Sequence, residues 1–392
     1  MKVNFVDKGA SRYIVGKVER FHQKNEMFKR PLWDPKMMDL GQKFYVEEVP
    51  PRDKPGYRLK DQALVNAAWH LENGFAPNGR KGLYAWDWDK NFSYPRVPSR
   101  LRITVDDPMT VTKEIKKVTI FFGASLVGIC ELDRRWLYSH SHSKYGEEGE
   151  SIEKIEIPEE YKYAIAIAIE MDYEGISCSP AHPASAATGV GYSKMAFVAG
   201  LLAQYIRGLG YQAIPCGNDT ACSIPIAIDA GMGELARNGL LITPEFGPRV
   251  RLCKVFTDLP LLPDEPIEFG VWEFCHRCQK CAEICSSQAI MRGEPTEKTN
   301  NISNGEGLLR WPINAEKCLA FWVANGTDCS NCIRVCPFNT PPCWFHGALR
   351  WGAKNTPWLD AFLVKLDDFL AYGKQARADE FWHQQDRRFI SR

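Results

Sequence analysis

The sequence predicts an α+β protein in which a large region of mixed helix and strand precedes a short cysteine-rich module. Three observations carry this. Helix-period and strand-period segments alternate between residues 106 and 270. Eight of the 14 cysteines fall between Cys275 and Cys336. The chain has 392 residues, 45% of them hydrophobic, enough to bury one large core or two to three smaller ones.

Residues 1–105 are rich in Pro, Trp and Tyr and poor in clear periodicity. Turn signals stand at Pro50-Pro51, Pro55-Gly56 and Asn73-Gly74. Trp33, Trp69, Trp86 and Trp88 are too many for a disordered tail, so a loop-rich segment wrapping a core is expected. Residues 106–270 read as the core. Asp107-Pro108 starts a helix, Ile115, Val118 and Phe121-Phe122 continue it, and Gly123 ends it. Residues 126–130 read as a buried strand. Residues 163–169 alternate Ile with Ala, a strand with one small-residue face. A strong helix spans 193–208, with Met195, Val198, Leu201, Leu202 and Tyr205 on one face. The cysteine-rich module covers 271–345. A tail, 346–392, holds Trp351 and Trp358 and is expected to pack on the core; Trp344 stands just before it.

Lys and Arg total 49 against 48 Asp and Glu, a formal net charge of +1. This balance gives no footprint of a nucleic-acid or membrane-surface binder. No run of 18 apolar residues predicts a transmembrane helix, and the first 20 residues have no apolar core like that of a signal peptide.

The cysteines form two runs, Cys275-x2-Cys278-x2-Cys281-x3-Cys285 and Cys318-x10-Cys329-x2-Cys332-x3-Cys336-Pro337. A cubane cluster needs four thiolates converging on one small core, and tight Cys-x2-Cys turns supply them. Zinc sites usually need only two Cys-x2-Cys pairs, and the Cys-Pro ending is foreign to them. In two-cluster ferredoxins the last cysteine of each run crosses to the other cluster. Two [4Fe–4S] clusters are therefore expected. One would be held by Cys275, Cys278, Cys281 and Cys336, the other by Cys318, Cys329, Cys332 and Cys285. Cys130, Cys178, Cys216, Cys222, Cys253 and Cys343 lack ligand spacing and read as small buried hydrophobes. Two clusters in series make a wire, and about 270 residues precede them. A plain carrier needs no such region, so the wire should serve a second centre.

No nucleotide-binding glycine motif and no Asp-x-His-x-x-Gly cobalamin signature occurs. The eight histidines are scattered and read as structural or surface residues. The order of Phe122-Gly-Ala-Ser-Leu-Val-Gly128, Thr188-Gly-Val-Gly-Tyr-Ser193 and a double ferredoxin module ending in Cys-Pro resembles the reductive dehalogenases, from about residue 30 to 350. The resemblance implies a nitroreductase-like core holding a base-off corrinoid with no protein side chain as lower ligand. It implies the reaction R–X + 2e⁻ + H⁺ → R–H + X⁻ on a small organohalide. A chlorinated alkane or alkene is favoured over a bulky haloaromatic by the modest chain length.

In that family a Tyr gives the proton, with an Arg and an Asn beside it. By motif order these fall on Tyr192, Arg251 and Asn218, with Arg249 the close competitor of Arg251. Tyr192 follows a Gly-rich turn and opens the 193–208 helix, whose positive end would favour its phenolate. Thr188, Ser193 and Asn218 are expected to touch the corrinoid. Thr188, Phe321 and Trp322 are expected to line the substrate pocket, the last two from a long loop between Cys318 and Cys329. Trp33, Trp86 and Trp88 are alternatives. Family habit also implies a membrane anchor protein, a membrane electron donor and a possible homodimer. It implies a peripheral place at the outer face of the cytoplasmic membrane after signal removal, with the cytoplasm as the other home. An epoxyqueuosine reductase-like corrinoid enzyme acting on tRNA would instead show a basic surface and an acidic donor. A non-enzymatic ferredoxin would need no pocket domain.

Overall fold

The computed structural model describes residues 3–76, 82–86, 101–144, 150–339, 364 and 373–383. Trp88, Cys343, Trp344, Trp351 and Trp358 lie outside the described residues. The N-terminal segment runs from β1 (Asn4–Phe5) through short 3-10 turns to α1 (Met38–Tyr45) and α2 (Leu59–Phe75). The core follows as α3 (Pro108–Phe121), β2 (Leu126–Glu131), β3 (His140–Lys144), β4 (Glu150–Lys154), β5 (Tyr163–Glu170), α4 (Tyr173–Ser177), α5 (His182–Gly208), β6 (Ala213–Cys216), α6 (Ser223–Asp229), β7 (Glu234–Leu235), β8 (Leu241–Ile242), β9 (Val250–Thr257) and β10 (Ile267–Glu268). The cysteine module carries α7 (Val271–Arg277), α8 (Lys280–Glu283), α9 (Ala315–Asn325) and α10 (Asn331–Arg334), and the tail carries α11 (Ala378–His383).

The central sheet runs β2-β5-β9-β6 with every neighbouring pair antiparallel. Helix and strand therefore share one α+β core. β5 is buried on both sides, beyond the single small face expected. Ala164, Ala166 and Ala168 face one core, with Ile226 and Ala227 of α6. Ile165, Ile167 and Ile169 face the other, with Met195, Val198, Leu202 and Ile206 of α5. Each buried Ile there contributes roughly 1.5–3 kcal/mol. The α3 start is as the sequence predicts: Asp107 accepts from the Met109 and Thr110 amides, and Gly123 leaves the helix at φ +108°.

Two helices differ from expectation. The segment read as loop-rich contains α2, which has 17 residues. Its small face packs on α5, and Ser193 Oγ donates to Ala68 O across 2.7 Å. Helix α5 begins at His182, not at 193. The run Ala184–Gly191 is helix because its small residues admit close neighbours. A Cβ on Gly189 would lie 2.5 Å from the Trp69 ring, and one on Gly191 would lie 2.8 Å from Arg251 Cγ. These glycines serve close approach and make no turn. Helix α5 is long and apolar enough to span a membrane, but 67% of that window is buried inside this fold.

The N-terminal segment and the tail bind the core and module. Arg30 pairs with Asp34 and with Glu316 of α9, each at 2.6 Å. Trp382 Nε1 of α11 donates to Asp61 Oδ1 of α2 at 2.7 Å.

Candidate active site and cluster module

A cavity of about 1930 Å³ opens between α2, α5, the sheet end and the cysteine module. One face of α2 lines it through Gln62, Val65, Asn66, Trp69, Glu72 and Asn73, and Ala76 just after the helix joins them. This is helical spacing aimed at a cavity instead of a core.

Tyr192 lies on the α5 wall, ten residues into the helix. The helix dipole therefore does not favour its phenolate, because the dipole acts only within the first turn. Its surroundings come from other elements. Trp69 stacks on the phenol with ring centroids 4.7 Å apart. Asn218 Nδ2 donates to Tyr192 Oη at 2.7 Å. The Arg251 guanidinium stands 5.5 Å from the ring centre. An oxygen that accepts from Asn218 directs its own proton elsewhere.

Asn218 sits in a loop held by the fully buried Lys254, whose ammonium donates to Gly217 O at 2.5 Å and Ala221 O at 2.8 Å. Thr220 in this loop adopts φ +69°, strain that the surrounding contacts hold in place. Arg251 projects from β9 to the cavity, and its Nε contacts Met171 Sδ at 3.1 Å. Arg249, the competitor, does not line the cavity. It is buried on Glu170 at 2.6 Å and Asn339 at 2.9 Å.

Thr188, Phe321 and Trp322 line the cavity. The last two come from helix α9, not a loop, because the 318–329 spacer is long and apolar enough to form a helix on α1. Ser193 does not line the cavity. One residue past Tyr192 the helix has turned away, and its hydroxyl ties α5 to α2. Trp33 and Trp86 pack elsewhere: Trp33 donates to Lys24 O at 2.6 Å, and Trp86 lies against the core beside α6. Glu26, Glu72, Asp219 and Asp328 also face the cavity, and sequence reading passed over them. Burial pushes the Glu72 carboxyl up to about 8 and that of Glu26 up to about 7.

The eight cysteine sulfurs fall into two groups. Burial and then the sulfurs of Cys275, Cys336, Cys332 and Cys278 push the Cys281 thiol up. Burial and then Cys329, Cys318 and Cys285 do the same to Cys332. Cys285 thus lies near Cys318 and Cys332, and Cys336 lies near Cys281. A cationic core that takes up their charge would favour release of these thiol protons, which is the chemistry of an iron–sulfur site. Cys285, Cys318, Cys329 and Cys332 line the cavity, and Cys275, Cys278, Cys281 and Cys336 do not.

The cavity exceeds the roughly 300–1,000 Å³ of drug-sized pockets. Several buried polar atoms on its lining residues, Trp322 Nε1, His182 Nδ1 and His142 Nδ1 among them, have no hydrogen-bond partner among the described residues. Such atoms call for a large polar-edged occupant. A corrinoid fits both the volume and the donor set.

Comparison with known proteins agrees with this geometry. A 4Fe-4S dicluster domain model matches residues 274–340. The chain is 38% identical over 348 residues to the tetrachloroethene reductive dehalogenase of Sulfurospirillum multivorans, covering 82% of this chain and 70% of that protein. This chain belongs to the reductive dehalogenase family. A tetrachloroethene reductive dehalogenase of Desulfitobacterium hafniense is also 38% identical, over 76% of this chain and 60% of its own length. The fold matches a reductive dehalogenase structure solved in connection with B12-dependent dehalogenation, at TM-score 0.70 and 24% identity. That match covers 95% of this chain and 49% of the other. The chain thus spans about half to 70% of the length of these relatives. The named dehalogenases are oxidoreductases acting on carbon–halogen bonds, and iron–sulfur electron transfer is part of the family's chemistry.

Proposed function

We propose that the chain is a corrinoid-dependent reductive dehalogenase that takes halide from a small chlorinated alkene or alkane. The carrying observation is that one cavity joins Tyr192, Asn218 and Arg251 to the sulfurs of Cys285, Cys318, Cys329 and Cys332. When bound, the corrinoid supplies a low-valent cobalt for reaction at the carbon–halogen bond. Thr188, His182 and Trp322 would hold it. The net reaction is R–X + 2e⁻ + H⁺ → R–H + X⁻.

Tyr192 gives the proton. Asn218 fixes the direction of the phenol, and Arg251 stabilises the negative charge left on its oxygen. Trp69, Phe321 and Trp322 form apolar walls suited to a chlorinated hydrocarbon and poor for water. Electrons enter through the cluster of Cys275, Cys278, Cys281 and Cys336. They leave through that of Cys318, Cys329, Cys332 and Cys285, which faces the cavity. The tetrachloroethene substrate of the relatives supports a chlorinated alkene. Family habit supports a membrane anchor protein, a membrane electron donor and a peripheral position at the outer face of the cytoplasmic membrane.

The test is halide release by anaerobic holoenzyme, with a low-potential reductant, from a panel of chlorinated methanes, ethanes and ethenes. Turnover concentrated on the ethenes or ethanes is expected. Release from none of them, with cofactors loaded, would contradict the proposal.

A further inference from the structure

Arg237 is fully buried in the turn after β7, and it has no carboxylate partner among the described residues. Its fork is spent on backbone carbonyls. Nε donates to Cys275 O at 3.0 Å and Cys278 O at 3.2 Å, and Nη2 donates to Cys275 O at 2.7 Å. Nη1 donates to Met291 O at 3.0 Å and Gly293 O at 2.8 Å. The Trp311 ring covers the guanidinium at 4.7 Å. The buried carboxylate three residues before it, Glu234, is engaged by Arg12 at 3.1 Å and by the Phe269 and Val271 amides. His276 is paired with Glu294 at 2.5 Å.

A guanidinium stays charged at any working pH. Burying it without an anion is costly, and carbonyl dipoles offset only part of that cost. A cubane on four thiolates is net negative and gains one more negative charge on reduction. Its ligands Cys275 and Cys278 are the residues whose carbonyls Arg237 grips.

We propose that Arg237 is the internal counter-charge of the cluster on Cys275, Cys278, Cys281 and Cys336, a positioning residue that holds that cluster's reduction potential up. The proposal rests on the two-cluster reading above. The cluster takes one electron and passes one on, with no proton moved. A fixed positive charge favours the reduced form and so eases electron entry.

The experiment is an EPR-monitored redox titration of reconstituted holoenzyme carrying Arg237→Gln or Arg237→Lys, with iron counted first. In Arg237→Gln one of the two midpoints should fall and the other stay. In Arg237→Lys that midpoint should lie near wild type at neutral pH and fall as pH rises, because a buried ammonium loses its proton far more easily than a guanidinium. The wild-type midpoint should show no such fall. The lysine variant keeps the test decisive if the glutamine variant loses its cluster. Two intact clusters with unmoved midpoints, or a lysine variant as shifted as the glutamine one at neutral pH, would overturn the proposal alone. Wild-type protein that binds no second cluster would overturn the two-cluster reading and the proposal with it.

Discussion

Asn218 donates its side-chain amide to the phenol oxygen of Tyr192 across 2.7 Å, although the two residues sit on different elements. The loop bearing Asn218 is pinned by Lys254, and the helix bearing Tyr192 is pinned by Trp69 and Arg251. The pair is therefore built by the fold, not by local sequence. Tyr192→Phe should lower halide release by about 10²–10⁴-fold, the range of a lost general acid. Iron and corrinoid content should stay unchanged. Wild-type turnover in that variant would remove Tyr192 from the chemistry.

Gly191 leaves room for Arg251, since a Cβ there would stand 2.8 Å from Arg251 Cγ. Gly191→Ala should displace the guanidinium and cost about 1–3 kcal/mol of stability through overpacking. Thermal melting measures the cost, and turnover should fall further than the melting shift explains. An alanine variant with native stability and rate would show that Arg251 has slack.

Glu72 gives a pH dependence with a definite sign. Its carboxyl is raised from 4.5 to about 8 by burial, then by Asp219, with Tyr84 opposing. Between these values the unfolded chain has released a proton that the folded chain retains. Stability contributed at this site thus falls as pH rises from about 4.5 to about 8, and is flat outside that window. Glu72→Gln, which cannot ionise, should melt closer to wild type near pH 5 and gain relative to it near pH 8. Equal melting differences at both pH values would contradict the raised carboxyl.

Cys285 belongs to the first cysteine run in sequence and to the second group in space. Cys285→Ala should therefore damage the cluster on Cys318, Cys329 and Cys332 and spare the one on Cys275. EPR of the reduced protein separates the two outcomes. Loss of the Cys275 cluster instead would reverse the crossing.

The cysteine module was legible because cluster ligation fixes residue type and spacing together. The α3 start at Asp107-Pro108 was legible for a similar reason, since capping is local chemistry. Helix α2 was not legible, because its ordered face carries Gln62, Asn66, Trp69 and Glu72 toward a cavity, so apolar periodicity is absent. The first turns of α5 read as a turn because Gly189 and Gly191 look like breakers. Their purpose appears only when Trp69 and Arg251 are seen against them. Arg251 and Arg249 could not be separated by pattern, since only strand position and neighbours decide which one reaches the cavity.

The central claim is that two clusters and a corrinoid meet beside Tyr192. Metal analysis of anaerobically purified protein, refolded with cobalamin and reconstituted with iron and sulfide, tests it most directly. Two cubanes and one corrinoid predict about eight iron and about one cobalt per chain. A full complement of iron with no retained cobalt would contradict it.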